Sequence, residues 1–254
     1  MKRMVPILFK WILLLSLFQL SACRKLEDLI LSGQTGGLPK YKIEKITSGS
    51  GKTTSSVVFK YDNHDNPTSA IFSPDNGFPI RIFRYDHNHR LTDYISLRSD
   101  SVFYDLWHRY KYNAKGLIVQ DSVYRDGSFS EDPNPVGHDN QAILYTYDSH
   151  DRMTVAATYY RGTIHQDTWQ YDQNGNRIRS GITYDNKVNP SQTNKIWMFL
   201  NHEYSVNNPI PATSYNQHGL PLGFNHPVEA PDPFNSSYFL GEILNVSTIA
   251  YSSK

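Results

Sequence analysis

Trp169-Gln170-Tyr171-Asp172-Gln173-Asn174-Gly175-Asn176 contains the pattern that decides the fold: an aromatic residue, a spacer, a tyrosine and Asp or Asn, followed by a turn. The period of two in a β-strand places Trp169 and Tyr171 on the same face. The side-chain oxygen of Asp172 can accept a hydrogen bond from a backbone N–H two residues on, which begins a turn. Gly175 suits the left-handed position that closes a type I turn. The stretch therefore predicts one strand and the turn of a β-hairpin.

Equivalent blocks occur at six places in the chain, and the last lacks the first aromatic residue: Phe59-Lys60-Tyr61-Asp62, Phe83-Arg84-Tyr85-Asp86, Tyr110-Lys111-Tyr112-Asn113, Tyr145-Thr146-Tyr147-Asp148, Trp169-Gln170-Tyr171-Asp172 and Thr213-Ser214-Tyr215-Asn216. Four places after each tyrosine stands glycine or a residue type enriched at positive φ, namely Asp65, His89, Gly116, Asp151, Gly175 and Gly219. The tyrosines are 24, 27, 35, 24 and 44 residues apart. Two strands with two turns fill about 24 residues, so the spacing predicts an antiparallel meander of about six hairpins.

A sheet with an aromatic face must bury that face, so an all-β chain of this kind has to curl or fold over. We expect a strongly curved sheet or partly closed barrel. The longer gaps predict two insertions, an irregular loop from Asp126 to Gln141 and a segment from Asn186 to Pro211. In the second, Ser191 to Leu200 is predicted to form one short helix that begins at Pro190 and packs through Ile196, Trp197 and Phe199. This insertion and the C-terminal segment should cover an opening, and Tyr238 to Ala250 should supply the last strand or strands.

The amino-terminal residues have the features of an export signal. Lys2, Arg3 and Lys10 precede an uncharged run from Trp11 to Leu20, which is too short for a membrane span. Leu20-Ser21-Ala22-Cys23 then resembles the lipobox of bacterial lipoproteins, in which the cysteine is lipidated and the leader is removed just before it. Cys23 is also the only cysteine, so an intrachain disulfide is impossible. Several acyl chains would anchor the chain to a membrane durably.

These features divide the chain into a signal peptide (1–22), a lipidated Cys23 with a flexible tether (23–40) and a β-domain (41–254). Removal of the leader lowers the formal net charge from +1 to −2, and no concentrated basic face remains. Nucleic acid is therefore not expected as a partner. Arg24 does not resemble an inner-membrane retention signal, so the outer membrane is the predicted location, on its periplasmic or its outer side.

The best-formed blocks are Tyr171-Asp172-Gln173-Asn174-Gly175-Asn176-Arg177-Ile178 and Tyr112-Asn113-Ala114-Lys115-Gly116-Leu117-Ile118. They resemble the YD-type repeat of Rhs and teneurin-like proteins, whose strands spiral into a large β-shell. Together with the lipobox and Asn207-Asn208-Pro209, they resemble small Gram-negative lipoproteins of unknown function with degenerate repeats. The resemblance covers roughly residues 41 to 224 and departs at Asp65, His89, Asp151 and Thr213. It implies an architecture and a lipid anchor, and no biochemical activity.

Candidate chemical sites each have a simpler structural interpretation. Asp172 to Asn176 begins like a calcium loop, but Thr183 stands where a bidentate Glu is required. His87 and His89 lie in a turn without a third ligand placed by spacing. The turn residues Asp62, Asp86, Asp148 and Asp172 have backbone groups to cap. No Gly-x-Ser-x-Gly elbow is present. The sequence thus predicts no catalytic residue, metal or cofactor.

Two functional hypotheses follow from this pattern. The first is a non-catalytic, lipid-anchored domain that binds a glycan, a peptide or an envelope protein, with Trp107 and Trp197 as a possible binding surface because indole rings stack on sugars and anchor proteins. The alternative is a polymer hydrolase whose acids or histidines come together from different repeats. A deep cleft holding two carboxylates or three metal-competent side chains would favour the second hypothesis, and a smooth curled sheet would remove it. Empty glycan arrays and pull-downs, together with burial of the tryptophans, would count against the first.

Overall fold

The structure, a computed structural model, describes residues 41–48, 54–75, 79–131, 141–209, 212–224 and 247–253. The predicted leader, Cys23 and the tether lie outside these residues, as do residues 132–140 of the predicted loop. In the described part of the chain, no helix is both long enough and apolar enough to span a membrane.

The described residues form thirteen strands, one 3₁₀ helix and one α-helix. The strands are β1 (Tyr41–Ser48), β2 (Ser55–Tyr61), β3 (Pro67–Ser73), β4 (Ile80–Tyr85), β5 (Leu91–Leu97), β6 (Phe103–Tyr112), β7 (Ile118–Ser128), β8 (Gln141–Tyr147), β9 (Met153–Tyr160), β10 (Thr163–Thr168), β11 (Ser214–Tyr215), β12 (Pro221–Phe224) and β13 (Ser247–Ser253). The 3₁₀ helix is Pro190–Thr193 and the α-helix, α1, is Lys195–Leu200.

All thirteen strands belong to one antiparallel sheet. Strands β1 to β10 follow one another in space as they do in sequence, and β13, β12 and β11 continue the sheet beyond β1. This confirms the predicted all-β meander. The sheet does not close, since β10 and β11 are its two outermost strands.

The turns after the tyrosines have the predicted chemistry. Oδ1 of Asp172 accepts hydrogen bonds from the backbone N–H groups of Asn174 (2.9 Å) and Asn176 (2.8 Å). The other five blocks repeat this pair of bonds. The fourth residue after each tyrosine has positive φ, from 58° at His89 to 79° at Gly175. The register slips by one residue at the tyrosine of each long hairpin, as a turn closed by a bulge requires.

Five of the six block tyrosines also fasten their hairpin to the preceding part of the sheet, whereas Tyr215 donates to a carboxylate oxygen of Asp185. Tyr171 Oη donates to the backbone carbonyl of Met153 at 2.8 Å, and Met153 is the sixth residue after the previous block tyrosine, Tyr147. The same bond joins Tyr61 to Ile43, Tyr85 to Pro67, Tyr112 to Leu91, Tyr147 to Ile118, Tyr184 to Arg177 and Tyr251 to Pro221. Burial raises the pKa of Tyr171, so the hydroxyl keeps its proton and donates. We call this series the tyrosine ladder.

The inward face of the sheet carries the first aromatic residue of each of the five complete blocks. These rings are only 3–7% exposed and belong to Phe59, Phe83, Tyr110, Tyr145 and Trp169. Residues 190–204, which we call the plug, lie against them. The ring centroid of Trp197 is 5.1 Å from that of Phe59 and 5.7 Å from that of Phe83. Phe199 is 5.3 Å from Tyr110 and 5.1 Å from Tyr145.

These contacts require a strongly curved sheet. Strands β2 and β8 are six positions apart, which is about 29 Å in a flat sheet. Helix α1 has six residues and is only about 9 Å long, yet its side chains contact rings on β2, β4, β6 and β8. The sheet must therefore wrap around the helix, as the sequence predicts.

The insertion differs from its prediction in two details. The predicted helix from Ser191 to Leu200 is split at Asn194, whose φ of −155° is extended and whose Oδ1 caps α1 through the N–H of Ile196. The Nδ2 group of Asn194 also donates to the carbonyl of Asp65 at 3.0 Å, which ties the plug to the first hairpin turn. For Tyr204 to Pro209 the sequence predicts a strand end that runs into a turn, but these residues form only an isolated bridge at Asn207. Polar contacts hold them instead, such as that of the Asn207 N–H with Asn176 Oδ1 (2.9 Å).

Candidate functional site

A buried polar cluster lies under the plug. His108 on β6 is two residues before Tyr110, and Asp121 on β7 is directly opposite Tyr110, so both side chains point to the inward face. His108 Nδ1 lies 2.7 Å from Asp121 Oδ2, and both side chains are 2% exposed. Tyr145 on β8 donates from its hydroxyl to the same oxygen at 3.4 Å. Three neighbouring strands thus bring a carboxylate, an imidazole and a phenol together.

The plug closes this cluster with His202, which is 1% exposed. Its ring is 5.7 Å from Tyr145 and 5.2 Å from Trp169 between centroids. Burial, and after it the charge of Arg177, lowers the pKa of His202 to about 3, so its imidazole is neutral at physiological pH.

A small cavity lies between the sheet and the plug at this cluster. Its volume is about 10 Å³, and it is lined by Tyr94, His108, Tyr110, Asp121, Tyr145, Phe199, Leu200 and His202. A space of that size holds about one water molecule. Asp121 Oδ1 and His108 Nε2 have no hydrogen-bond partner among the described residues.

The cluster has the groups of an acid–base dyad without the access that such a dyad needs. His108 Nδ1–H can donate to Asp121, which fixes the imidazole tautomer and leaves Nε2 as the acceptor. No serine, threonine or cysteine lines the cavity, and a sugar ring or a peptide is far larger than a water-sized space. Across the described ranges, no group of three His, Cys, Asp or Glu residues is arranged to hold a metal ion.

The outward face carries a second apolar group, centred on Trp107. The register places Ile95, Trp107 and Tyr124 in one row on this face. The outer cluster consists of Ile95, Leu97, Tyr104 and Trp107 with Ile80, Ile82, Tyr124 and Phe129 packed around them.

Polar groups fix the indole of the outer cluster from two sides. Trp107 Nε1–H donates to Asp93 Oδ1 at 2.6 Å, and Arg109 Nε donates to the same oxygen at 2.9 Å. The Arg84 guanidinium lies 4.9 Å from the centre of the Trp107 ring and 5.1 Å from that of Phe129, which is within cation–π range. At the nearby β5–β6 hairpin, Phe103 is 45% exposed.

Burial corrects the prediction that Trp107 and Trp197 form a binding surface. Trp107 is 1% exposed and Trp197 is 0% exposed, so neither indole faces solvent. Trp197 fills the interior, because the inward aromatic rows leave a hydrophobic space that the insertion occupies. Trp107 faces outward but is covered by its neighbours in the outer cluster. Trp169 is in the core as its block position predicts, at 3% exposed.

The other sequence candidates lie at the turns. Asp62, Asp86, Asp148 and Asp172 each accept hydrogen bonds from backbone N–H groups of their own turn, which is the capping role that the sequence predicts. His89 stacks on His64 of the neighbouring hairpin, with 3.8 Å between ring centroids.

Sequence reasoning missed two further blocks and the buried cluster. Ile182-Thr183-Tyr184-Asp185 and Ile249-Ala250-Tyr251-Ser252 each place a tyrosine in the ladder, with an aliphatic residue at the position that is aromatic in the complete blocks. The sequence also contained a signal for the buried polar cluster. Counting back by two from the inward Tyr110 gives His108, and a histidine pointing into an apolar core needs a polar partner.

The geometry thus defines an open, curled antiparallel sheet of Tyr-Asp/Asn hairpins around an internal plug. No family model matches the sequence, and comparison with curated proteins gives no match. Among solved structures, the chain is similar to the TcdB2-TccC3-TEV complex, at 14% identity over 68% of this chain with a TM-score of 0.26. The TcdB2-TccC3-Cdc42 complex gives 13% identity over the same share and the same TM-score. The chain spans 10% of the length of those chains.

Proposed function

We propose that this chain is a non-catalytic β-domain, held in the outer membrane by lipid on Cys23, that binds a glycan, a peptide or an envelope protein. In this proposal it groups with the small lipoproteins that carry degenerate YD-type repeats. The observation that carries the proposal is the filled interior: the plug occupies the inward face and leaves a cavity of only about 10 Å³. Recognition then falls to the outward face.

The outer cluster is the part of that face best suited to a ligand. Ile80, Ile82, Tyr124 and Phe129 of this cluster are partly exposed, and apolar side chains exposed together mark interaction sites more often than isolated ones do. The arginines that contact the Trp107 ring, Arg84 and Arg109, lie beside them. Aromatic and arginine side chains are the types enriched at binding hot spots.

The same observation argues against the hydrolase alternative. His108 and Asp121 are the buried acid–base pair, and the plug encloses them in a space that admits no polymer. An enzyme of that kind would need a cleft that exposes both groups to a substrate.

Binding is tested with the full chain on a glycan array and in pull-downs from an envelope extract, followed by titration of any ligand found. Tyr124→Ala should weaken binding at least tenfold, because it removes a partly exposed ring of the outer cluster. Leu144→Ala is the matched control, since Leu144 is 42% exposed on the same face but lies on β8. Empty arrays and pull-downs, or equal effects of the two variants, would sink the proposal.

Anchoring is tested separately from binding. Cells grown with a clickable palmitate analogue should label the wild-type chain and leave Cys23→Ala unlabelled. Equal labelling of both would remove the lipid anchor from the proposal. Protease treatment of intact cells then reports which side of the outer membrane the domain faces.

A further inference from the structure

The outward face of the sheet carries an excess of positive charge. Its side chains form rows that run across the strands, and the register fixes the members of each row. One row joins Arg84 on β4 to Asp93 on β5 and Arg109 on β6, and the rows on either side of it contain Lys60 and Lys111. Between β2 and β10, these three rows hold four cations and one carboxylate.

The carboxylate of this face is engaged by groups other than Arg84. Asp93 Oδ1 forms an ion pair with Arg109 Nε at 2.9 Å, and the Asp93 side chain is only 9% exposed. Among the residues that the structure describes, the Arg84 guanidinium contacts the rings of Trp107 and Phe129 and forms no ion pair. The outer cluster therefore has one positive charge that the described carboxylates do not neutralise.

The two rings hold this guanidinium in place. Its carbon lies 4.9 Å from the centre of the Trp107 ring and 5.1 Å from that of Phe129. A guanidinium stacked on an aromatic face keeps the N–H donors at its edge available, and Arg84 is exposed. Its planar fork matches two oxygens of a carboxylate, sulfate or phosphate group. Because the side chain is already positioned, less conformational freedom is lost when it binds.

We propose that the outer cluster binds a glycan through an acidic group, a carboxylate, sulfate or phosphate, which Arg84 contacts with two N–H donors. This inference rests on the proposed function and names the ligand class of the same surface. The partly exposed rings of Tyr124 and Phe129 pack around the same indole. They offer apolar surface to the sugar rings that carry the acidic group.

An acidic peptide and nucleic acid fit this surface less well. Peptides that bind to sheets gain affinity by hydrogen bonding to an unpaired edge, and strands β4 to β7 each have a neighbour on both sides. Nucleic acid carries one charge about every 1.7 Å and needs a concentrated basic face. The four cations are instead spread over β2, β4 and β6, which suits a polymer whose acidic groups are separated by sugar rings.

Chemically matched polymers test the ligand class with the full chain. Dextran and its carboxymethyl, sulfate and phosphate derivatives share one backbone and differ in the acidic group. In biolayer interferometry, the chain should bind an acidic derivative, with an affinity that falls as salt rises, and should not bind dextran. Polyglutamate represents an acidic peptide and should bind more weakly. Equal binding of dextran, tighter binding of polyglutamate, or binding of none of the acidic derivatives would overturn the proposal.

Substitution of Arg84 locates the contact. Arg84→Gln should weaken binding of the acidic dextran about tenfold, as the loss of a hot-spot residue does. Arg84→Lys keeps the charge but loses the planar fork and should give an intermediate affinity. Arg161→Gln is the matched control, because Arg161 is also an exposed arginine, 5.2 Å from the centre of the Tyr160 ring, but follows β9. Equal losses for Arg84→Gln and Arg161→Gln would refute the contact.

A neutral ligand would separate this inference from the proposed function. If arrays or pull-downs yield a ligand whose binding falls with Tyr124→Ala but not with Arg84→Gln, the domain binds as proposed and the acidic group is refuted. If the arrays, the pull-downs and the dextrans all show no binding, both the inference and the proposed function are refuted.

Discussion

Replacement of Trp197 by alanine should destabilise the whole domain. The indole is 0% exposed and contacts rings from β2 and β4. Truncation of a buried Trp to Ala costs about 3–5 kcal/mol through lost burial and the cavity left behind. We expect the upper half of that range, because the side chains of Asn194 and Asn201 are hydrogen-bonded to backbone groups of α1. These bonds hold both ends of the helix in place and limit its collapse into the cavity.

The expected loss is a large part of the 5–15 kcal/mol that holds a typical domain. For a domain of this size, each kcal/mol lowers the melting temperature by about 2–4 °C, so the expected fall is roughly 8–20 °C. Urea and thermal unfolding followed by circular dichroism measure both quantities. Lys195→Ala is the control, since Lys195 is an exposed residue of the same helix and should change stability by less than about 0.5 kcal/mol. A loss below about 1 kcal/mol for Trp197→Ala would refute the view that the plug holds the curled sheet together.

Three further predictions concern the repeat. Tyr171→Phe removes the hydrogen bond to Met153 and should cost about 1 kcal/mol in urea unfolding, whereas Tyr159→Phe on the exposed face should cost nothing measurable. Gly116→Ala should cost about 1 kcal/mol by calorimetry, because φ is 79° at this position. No atom lies within 4 Å of the added Cβ, so the cost comes from the backbone conformation and not from a clash. An unchanged melting temperature would contradict this. The hydrogen bond from the Arg90 backbone N–H, followed by that from the Arg90 side chain, lowers the pKa of Asp86. This carboxylate therefore stabilises the fold above its ordinary pKa of about 3.9, and the stabilisation is lost as the pH falls through the lowered value. Asp86→Asn keeps the turn acceptor and should flatten the fall of melting temperature below about pH 4; an identical pH profile would count against the assignment.

The hairpin array was predictable because its determinants are local. Asp172 and Gly175 act on backbone groups within four residues of themselves, so the turn follows from the sequence window alone. The same holds for the alternation that points Trp169 and Tyr171 to one face. The curvature was predictable for a different reason, since an aromatic face in water has no stable alternative.

The contacts of the plug depend on residues distant in sequence. Asn194 bonds to the carbonyl of Asp65, which is 129 residues away, and no local pattern encodes that partner. The sequence therefore predicts two different places for Trp197, the packing face of a helix and a binding surface. Only the structure decides between these two predictions. His202 reaches the cluster through the plug and could not have been paired with His108 by spacing.

The position of β13 has a consequence for how the chain is made. Tyr41 at the start of the sheet pairs with Ser253, so β1 receives its second neighbour only after nearly all of the intervening residues have been synthesised. At about 5–20 residues per second, β1 waits of the order of ten seconds or more with one side unpaired. Chaperones that bind extended segments can bind the unpaired side of β1 during this interval. A chain whose synthesis is arrested before residue 247 should expose the same edge of β1 permanently.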